Sequence, residues 1–458
     1  MRTCKEIAAV ALIAVATGCS VYKEYSSQAG TIMEDLYPEG RYELAPCDTN
    51  TVADIGWADF FLDGCLQDLI ETALENNSDL GTARQRVIEA QAALKAANMA
   101  YLPSATAGPS ANYYLSQQRY DGSAFSYSVP VNASWEMDFG GLHGRKKKAQ
   151  AALERSENYV TSVQTELIAS VAEYYYTLLK LDAQLEISRT TAESWAENVR
   201  IMKAMKEAGM TNEASVAQTE ANACSIEASL FDLDYQVKEC ERALCVLAGI
   251  SPRPIPRMSI KETAITDRMD CGVPVQLLSR RADVKNAEAD MAMAYYDTQI
   301  AKAAFYPAIR ISPAIAWDKA ISSPAGWLIS LGGGLTQPLF ARGVLKSNLT
   351  AAEARQEESA LAFRQVILKA GAEVSNALAL CESAKGKTDA RLRQIAALES
   401  AVVSTKALMR HSQSTYLEVL TAQQSLLSAQ LLQISDRYDL LKGTVALYRA
   451  LGGGAEKN

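Results

Sequence analysis

The chain is poor in the residues from which most catalytic and metal sites are made. It has two histidines in 458 residues, His143 and His411, so a histidine metal cluster or a histidine-based triad has almost nothing to be built from. Nine cysteines include no C-x-x-C pair. The closest two, Cys240 and Cys245, have a poor spacing for a metal, and small apolar residues on helix faces are the better reading. No nucleophile elbow or phosphate-binding loop occurs. Aromatic residues make up 7% of the chain, and no apolar run after residue 20 approaches the ~18 residues a spanning helix needs. A mean hydropathy of −0.07 likewise excludes a multi-helix membrane protein. A net charge of −8 argues against nucleic acid as a partner. A single core rarely grows past ~250–300 residues, so the chain must be divided, repeated or elongated.

What is present begins with an address. Arg2 and Lys5 precede a ten-residue apolar stretch from Ile7 to Ala16, too short to span and of the length of a secretory signal core. It ends in Ala16-Thr17-Gly18-Cys19, which resembles the bacterial lipobox, with Ala16 where a leucine is usual. That resemblance implies removal of 1–18 and acylation of Cys19, with outer-membrane routing signalled by Ser20. Each buried acyl methylene contributes ~0.8 kcal/mol of membrane affinity. An ordinary signal with an incidental cysteine is the alternative. Cys47 with Cys65 is the one pair worth testing as a disulfide, since both precede the long helices.

The chain repeats itself. At a shift of 204, Asp79, Ala83, Ala90 and Ala97 fall on Asp283, Ala287, Ala294 and Ala301, and Tyr101-Leu102-Pro103 falls on Phe305-Tyr306-Pro307. At a shift of 203, Val216, Leu244 and Gly249 meet Val419, Leu447 and Gly452. Two copies of roughly 200 residues are expected, a first at 57–250 and a second at 273–454. The proline-containing stretch 251–272 joins them, with an N-terminal segment at 19–56 and a tail at 455–458.

Each copy carries two strand signals between long helical ones. From Phe125 to Phe139 every odd position is apolar or aromatic, while the even positions are Ser, Ser, Pro, Asn, Ser, Glu and Asp. Such a period of two marks a strand with one apolar face. Weaker alternation occupies 105–115, 308–318 and 327–339, so β-hairpins are predicted over about 104–139 and 308–340. About ten residues suffice for a tilted strand to cross a bilayer. Tyr101, Trp135, Phe139, Phe305, Tyr306, Trp317, Trp327 and Phe340 lie near the strand ends, where an interfacial aromatic girdle would sit. Two half-buried hairpins of a soluble sandwich are the alternative, but the surrounding sequence is helical and offers no strands to complete one. Four strands cannot close a membrane barrel, whose minimum is about eight, and open edges in lipid leave backbone groups unsatisfied. Several copies must then share one barrel.

Between 142 and 208 there is no proline, and Val160, Val163, Leu167, Val171, Tyr174, Leu178, Leu181 and Leu185 step by three and four. Phe363 to Cys381 and Leu427 to Tyr448 do likewise. Turns are predicted near 209–212, with Gly209 as a left-handed stop, and near 412–415. The Arg145-Lys146-Lys147-Lys148 run reads either as a solvated helix start or as a contact for anionic headgroups. Its cations oppose the helix dipole and call for compensation from outside the helix.

In this order and spacing, several motifs become specific. They are Trp57-x-x-Phe60-x-x-Asp63-x-x-Leu66, Leu277-Leu278-x-Arg280-Arg281-Ala282-Asp283-Val284, Gln337-Pro338-Leu339-Phe340, Tyr416-Leu417-Glu418-Val419-Leu420 and Leu447-Tyr448-Arg449-Ala450-Leu451-Gly452. Together they resemble the TolC-like outer-membrane efflux proteins, in the lipidated NodT or OprM-type branch. The fold class so implied is mostly α with a membrane β-barrel: a coiled-coil α-helical barrel plus four β-strands per protomer, shared in a homotrimer. The resemblance implies an exit duct for drugs, metals or other small molecules. It would be lipid-anchored in the outer membrane, extend into the periplasm, and be served by a periplasmic adaptor protein and an inner-membrane pump. It implies no enzyme activity, cofactor or metal centre. Glu418, Thr421 and Ser215 fall at the family's channel aperture, and Gly209, Met210, Thr211, Ser412, Gln413 and Ser414 at the adaptor-contacting tips. The usual carboxylate at the position of Thr421 is absent. A type I protein-secretion duct or a structural coiled-coil lipoprotein are the alternatives.

Overall fold

The computed structural model describes residues 23–27, 56–114, 124–138, 140–263, 281–319, 326–338, 340–410 and 416–454. Cys19, Cys47, Phe139, Ser412, Gln413 and Ser414 lie outside them. In chain order the elements are α1 (Trp57–Phe60), α2 (Gly64–Asn76), α3 (Ser78–Met99), β1 (Ser104–Ala107), β2 (Ser110–Tyr114), β3 (Ala124–Asp138), α4 (Gly141–Glu207) and α5 (Glu213–Leu247). Then follow α6 (Ala282–Ala303), β4 (Ala308–Lys319), β5 (Gly326–Thr336), α7 (Val344–Arg410) and α8 (Tyr416–Ala450).

Helix lengths pair off. α3 and α6 have 22 residues each, α4 and α7 have 67, and α5 and α8 have 35. At ~1.5 Å per residue, α4 and α7 are each about 100 Å long. The proline-free, alanine-rich sequence permits this length, because nothing interrupts the i→i−4 ladder.

Helix ends are set locally. Asp63 caps α2, accepting from the Cys65 and Leu66 amides at 2.9 and 3.4 Å. Asn77 caps α3 by accepting from the Leu80 amide and donates from Nδ2 to the Leu247 carbonyl at the end of α5. α4, α5 and α8 all stop in the same way. Gly209, Gly249 and Gly452 take positive φ, and the residue after each donates back to the carbonyl five positions earlier. Gly249 and Gly452 are the positions the repeat superposes.

Two of these glycines make a paired test. A Cβ on Gly209 meets nothing within 4 Å, whereas one on Gly249 would lie 2.5 Å from the Asn76 carbonyl oxygen. Gly209→Ala is expected to cost about 1 kcal/mol from the left-handed backbone alone. Gly249→Ala adds a backbone clash, bringing the cost to about 3 kcal/mol. Thermal unfolding of the two variants side by side checks the difference.

Two compact units cut across the sequence copies, each drawing on both. One contains Gln85–Asn158 and Lys285–Val366, with the stretch 23–27. It holds a single antiparallel sheet in which β1 and β2 both pair with β3, followed by β4 and β5. The predicted first strand is thus broken into two segments in one continuous register. Pro109 opposite Val129 and Pro130 opposite Gly108 lack amide N–H groups, and between the two segments the Gly108 amide donates to the Pro130 carbonyl at 3.3 Å. Four strand positions remain.

The other unit contains α1, α2, Tyr159–Val284 and Ile367 onward. Its core includes Leu66, Ile70, Leu80, Val171, Tyr175, Leu178, Leu244, Ile367 and Tyr448, each essentially inaccessible to water. Phe60 stacks on Tyr448 with ring centroids 4.2 Å apart. Along α4 the apolar seam runs through Leu167, Val171, Tyr175 and Leu178, while Tyr174 is 43% exposed. The expected seam put Tyr174 inward. The buried face of α4 takes in Tyr175 and Tyr176 instead, with the Tyr175 hydroxyl reaching Asp63.

Candidate functional site

Strand register decides which face each side chain takes. Across β3, β4 and β5, the rows Val131–Ile315–Ile329 and Val129–Trp317–Trp327 lie side by side, as do Met137–Ile309–Leu335. Ala105, Ala107, Ala111 and Tyr113 extend the same face onto β1 and β2. Adjacent strand residues alternate, so Ser128, Asn132, Ser134 and Glu136 share the opposite face with Arg310, Ser312 and Ser330. On that polar face Arg310 pairs with Glu136.

The apolar face is uncovered. Val131, Ile315, Trp327, Ile329, Leu331 and Leu335 are all exposed, Leu331 to 77%. A contiguous apolar surface on this scale is an interaction surface for lipid or protein. The aromatics fall at its two ends. Tyr101, Trp135, Phe305, Tyr306 and Phe340 flank the helix-side end, and the Trp135 indole donates to the Tyr101 carbonyl at 3.0 Å. Trp317 and Trp327 form a cross-strand pair at the hairpin end, with the Tyr127 ring 5.4 Å from that of Trp317. Eleven residues separate Tyr306 from Trp317. At ~3.3 Å per residue and a tilt near 40°, these two groups of aromatics stand about 28 Å apart, close to the ~25 Å apolar band of an outer-membrane barrel.

The basic run after β3 finds its compensation within the chain. Arg145 pairs with Asp138 at 2.5 Å, Lys147 with Glu24 at 3.1 Å and Lys148 with Asp297 at 2.8 Å. Asp138 also accepts from the Leu142 amide at 2.6 Å, so one carboxylate caps α4 and neutralises its first turn. Headgroups are not required to explain the run.

The second unit carries the turn between α4 and α5. Gly209 and Met210 are exposed, and Asn212 caps α5 through the Ser215 amide at 2.9 Å. Lys206 pairs with Glu213 across the turn, and Lys203 with Glu220 at 2.6 Å just behind it. Glu418 is exposed in the first turn of α8, and the Thr421 hydroxyl donates to the Leu417 carbonyl at 2.9 Å. Behind this tip, Trp195 of α4, Ile226 of α5 and Leu420 and Leu427 of α8 make one buried cluster, and Asn198 donates to Gln423 at 2.8 Å. Among the described residues no group of acidic, histidine and cysteine side chains could hold a metal.

A long-helix chain with an exposed apolar sheet face and aromatics at both its ends has a recognisable counterpart. The family model described as outer membrane efflux protein matches residues 69–250 and again 273–453. The chain belongs to that family. The efflux protein is 30% identical to the pyoverdine export outer membrane protein OpmQ of Pseudomonas aeruginosa over 406 residues, 85% of each chain. It is 27% identical to the cation efflux system protein CusC of Escherichia coli O157:H7 over 99% of each. A crystal structure of CusC superposes with a TM-score of 0.81 at 26% identity, covering 92% of the efflux protein and all of that chain. These are outer-membrane efflux channels of the OprM/NodT type, and the efflux protein is an outer-membrane efflux channel with their mostly helical fold.

The strands, the aromatics near their ends and the turn after α4 are legible in the sequence. The polar ties that hold the efflux protein's helices together are not. Tyr175 donates to Asp63 at 2.7 Å deep in the second unit and accepts from the Met258 amide. Burial, and then the bond to the Asp63 carboxylate, push the Tyr175 phenol far above its usual range, so it remains a donor at every physiological pH. Arg257 bridges Asp182 and Glu241. Burial pushes the Cys240 thiol up to about 11, which keeps it protonated and inert. Cys65 is a free thiol. Asp63, Arg281 and Asp283 lie within the family-like motifs, which was the one signal available for them.

Proposed function

We propose that three copies of this chain form the exit duct of a tripartite efflux system, sharing one β-barrel and lining one helical conduit. The register of the sheet carries this reading: one face is apolar, the other is mostly polar apart from Leu328 and alanines, and among the described residues both edge strands have an unpaired side. Three copies pass the minimum of about eight strands and leave no open edge in lipid. Acylation of Cys19 would add a second membrane attachment. An inner-membrane pump and a periplasmic adaptor deliver cargo at the tips, with Gly209, Met210, Thr211, Ser412, Gln413 and Ser414 as the adaptor contacts. OpmQ is a pyoverdine export protein and CusC a cation efflux protein, which supports small molecules or metal ions as the cargo class.

Single-channel conductance in planar bilayers tests the duct, and a protein that inserts without conducting would end the proposal. Glu418, with Thr421 and Ser215 nearby in the family pattern, is assigned to the aperture. Repeated around three copies, Glu418 favours cations at a narrow point. Glu418→Ala is expected to lower the cation-to-anion permeability ratio several-fold at low salt, and an unchanged ratio would remove the residue from the aperture.

A further inference from the structure

A cavity of about 500 Å³ in the second unit lies between the segment that follows α5 and the middle of α7 and α8. Its floor is apolar, with Ile260, Ile434 and Leu440 buried beneath it. Its wall and mouth are cationic: Lys261 and Lys385 are exposed at the rim, and Arg437 is half-buried. Asp436 also lines the space, but Arg391 engages its carboxylate at 2.9 Å. Asp389 at the mouth is exposed and is the other acidic group there.

Arg437 stands apart from the chain's other buried guanidinium groups. Arg257, Arg281 and Arg391 each face at least one carboxylate. Arg437 has no carboxylate partner among the described residues; its guanidinium donates to the Thr263 carbonyl at 2.7 Å. Burial alone lowers its pKa, with no carboxylate acting in the other direction. A guanidinium withdrawn from water without a counter-charge is costly, and the group presents five donors in a fixed fork that fits an oxyanion. The volume matches a drug-sized ligand, and an apolar floor with a few convergent polar groups is the usual construction of a small-molecule site.

We infer that this cavity is a binding site for an amphiphilic organic anion, its oxyanion head on Arg437 and its apolar body over Ile434 and Leu440. Lys261 and Lys385 add charge at the entrance. Occupancy fastens the 260–263 segment to α7 and α8, because Thr263 and the ligand share one guanidinium.

The full-length protein in a non-ionic detergent is titrated calorimetrically with naphthalene-2-sulfonate. Sodium sulfate serves as the bare anion and 2-naphthalenemethanol as the uncharged body. One saturable site per chain is expected for the sulfonate, with affinity at least tenfold weaker for either control and for Arg437→Gln. Should Arg437→Gln fail to fold, the exposed-rim variant Lys261→Glu is expected to weaken binding several-fold. Absence of saturable binding would overturn the inference, as would equal affinity in both variants or sulfate binding as tightly as the sulfonate.

Discussion

Replacing Arg281 by methionine is expected to lower the thermal midpoint by about 5 °C or more, with the second unit destabilised by about 3 kcal/mol. The Arg281 side chain is 9% exposed and joins three helix segments. It grips Asp283 at the start of α6 bidentately, with bonds of 2.9 and 2.7 Å, reaches Glu373 of α7 at 2.7 Å, and donates to the Ala450 carbonyl at the end of α8 at 3.0 Å. Burial opposes its charge, but the two carboxylates outweigh this and raise the pKa, so the cation persists. The C-terminal end of α8 adds the favourable side of the helix dipole. Methionine fills much of the volume but leaves the Ala450 carbonyl unpaired and two carboxylates facing each other. Asp283 and Glu373 are 42% and 45% exposed, and water compensates them in part. The expected loss therefore lies at the lower end of the ~3–5 kcal/mol range for a broken buried pair. Arg281→Lys keeps the charge but not the bidentate geometry, and about half the loss is expected. Differential scanning calorimetry of the three proteins decides the matter; equal midpoints would show that the arginine is a bystander.

Arginine at two neighbouring positions of β4 is expected to have opposite consequences. Ile315 lies in the apolar row Val131–Ile315–Ile329 at mid-sheet, and Ala314 in the adjacent row Asn132–Ala314–Ser330 on the polar face. A cationic side chain facing lipid near the bilayer midplane costs about 2–4 kcal/mol, and every copy in a shared barrel carries that cost. Ile315→Arg is expected to abolish recovery of a heat-modifiable oligomer from the outer membrane. Ala314→Arg places the charge on the face that already accommodates the Arg310–Glu136 pair. It is expected to assemble normally and to lower cation conductance. Electrophoretic migration before and after heating, with conductance of whatever assembles, reads both results. Normal assembly of Ile315→Arg would mean that this face does not meet lipid.

Much of this was legible along the chain because it is carried by short-range periodicity. A period of two over β3 defines one apolar and one polar face whatever the strand pairs with. Long proline-free runs with apolar residues three and four apart define helices, and Gly209 marks a stop through a backbone conformation that side chains disfavour. The strand count alone leads to the proposal of several copies, since the backbone in lipid must be paired.

Other features depended on what lies opposite in space. Nothing local separates Tyr174 from Tyr175, and the neighbours of α4 bury one while the other stays in water. Gly249 looks like a helix stop in either case, but only the Asn76 carbonyl beside it excludes a Cβ. Arg281 binds groups 92 and 169 positions away, and Tyr175 finds Asp63 across 112. Arg437 is notable because, among the described residues, no carboxylate reaches it. Periodicity dictates which face of a strand or helix is apolar. Charge pairing, burial and clash are relations between segments far apart in sequence, and they exist only once the helices have packed.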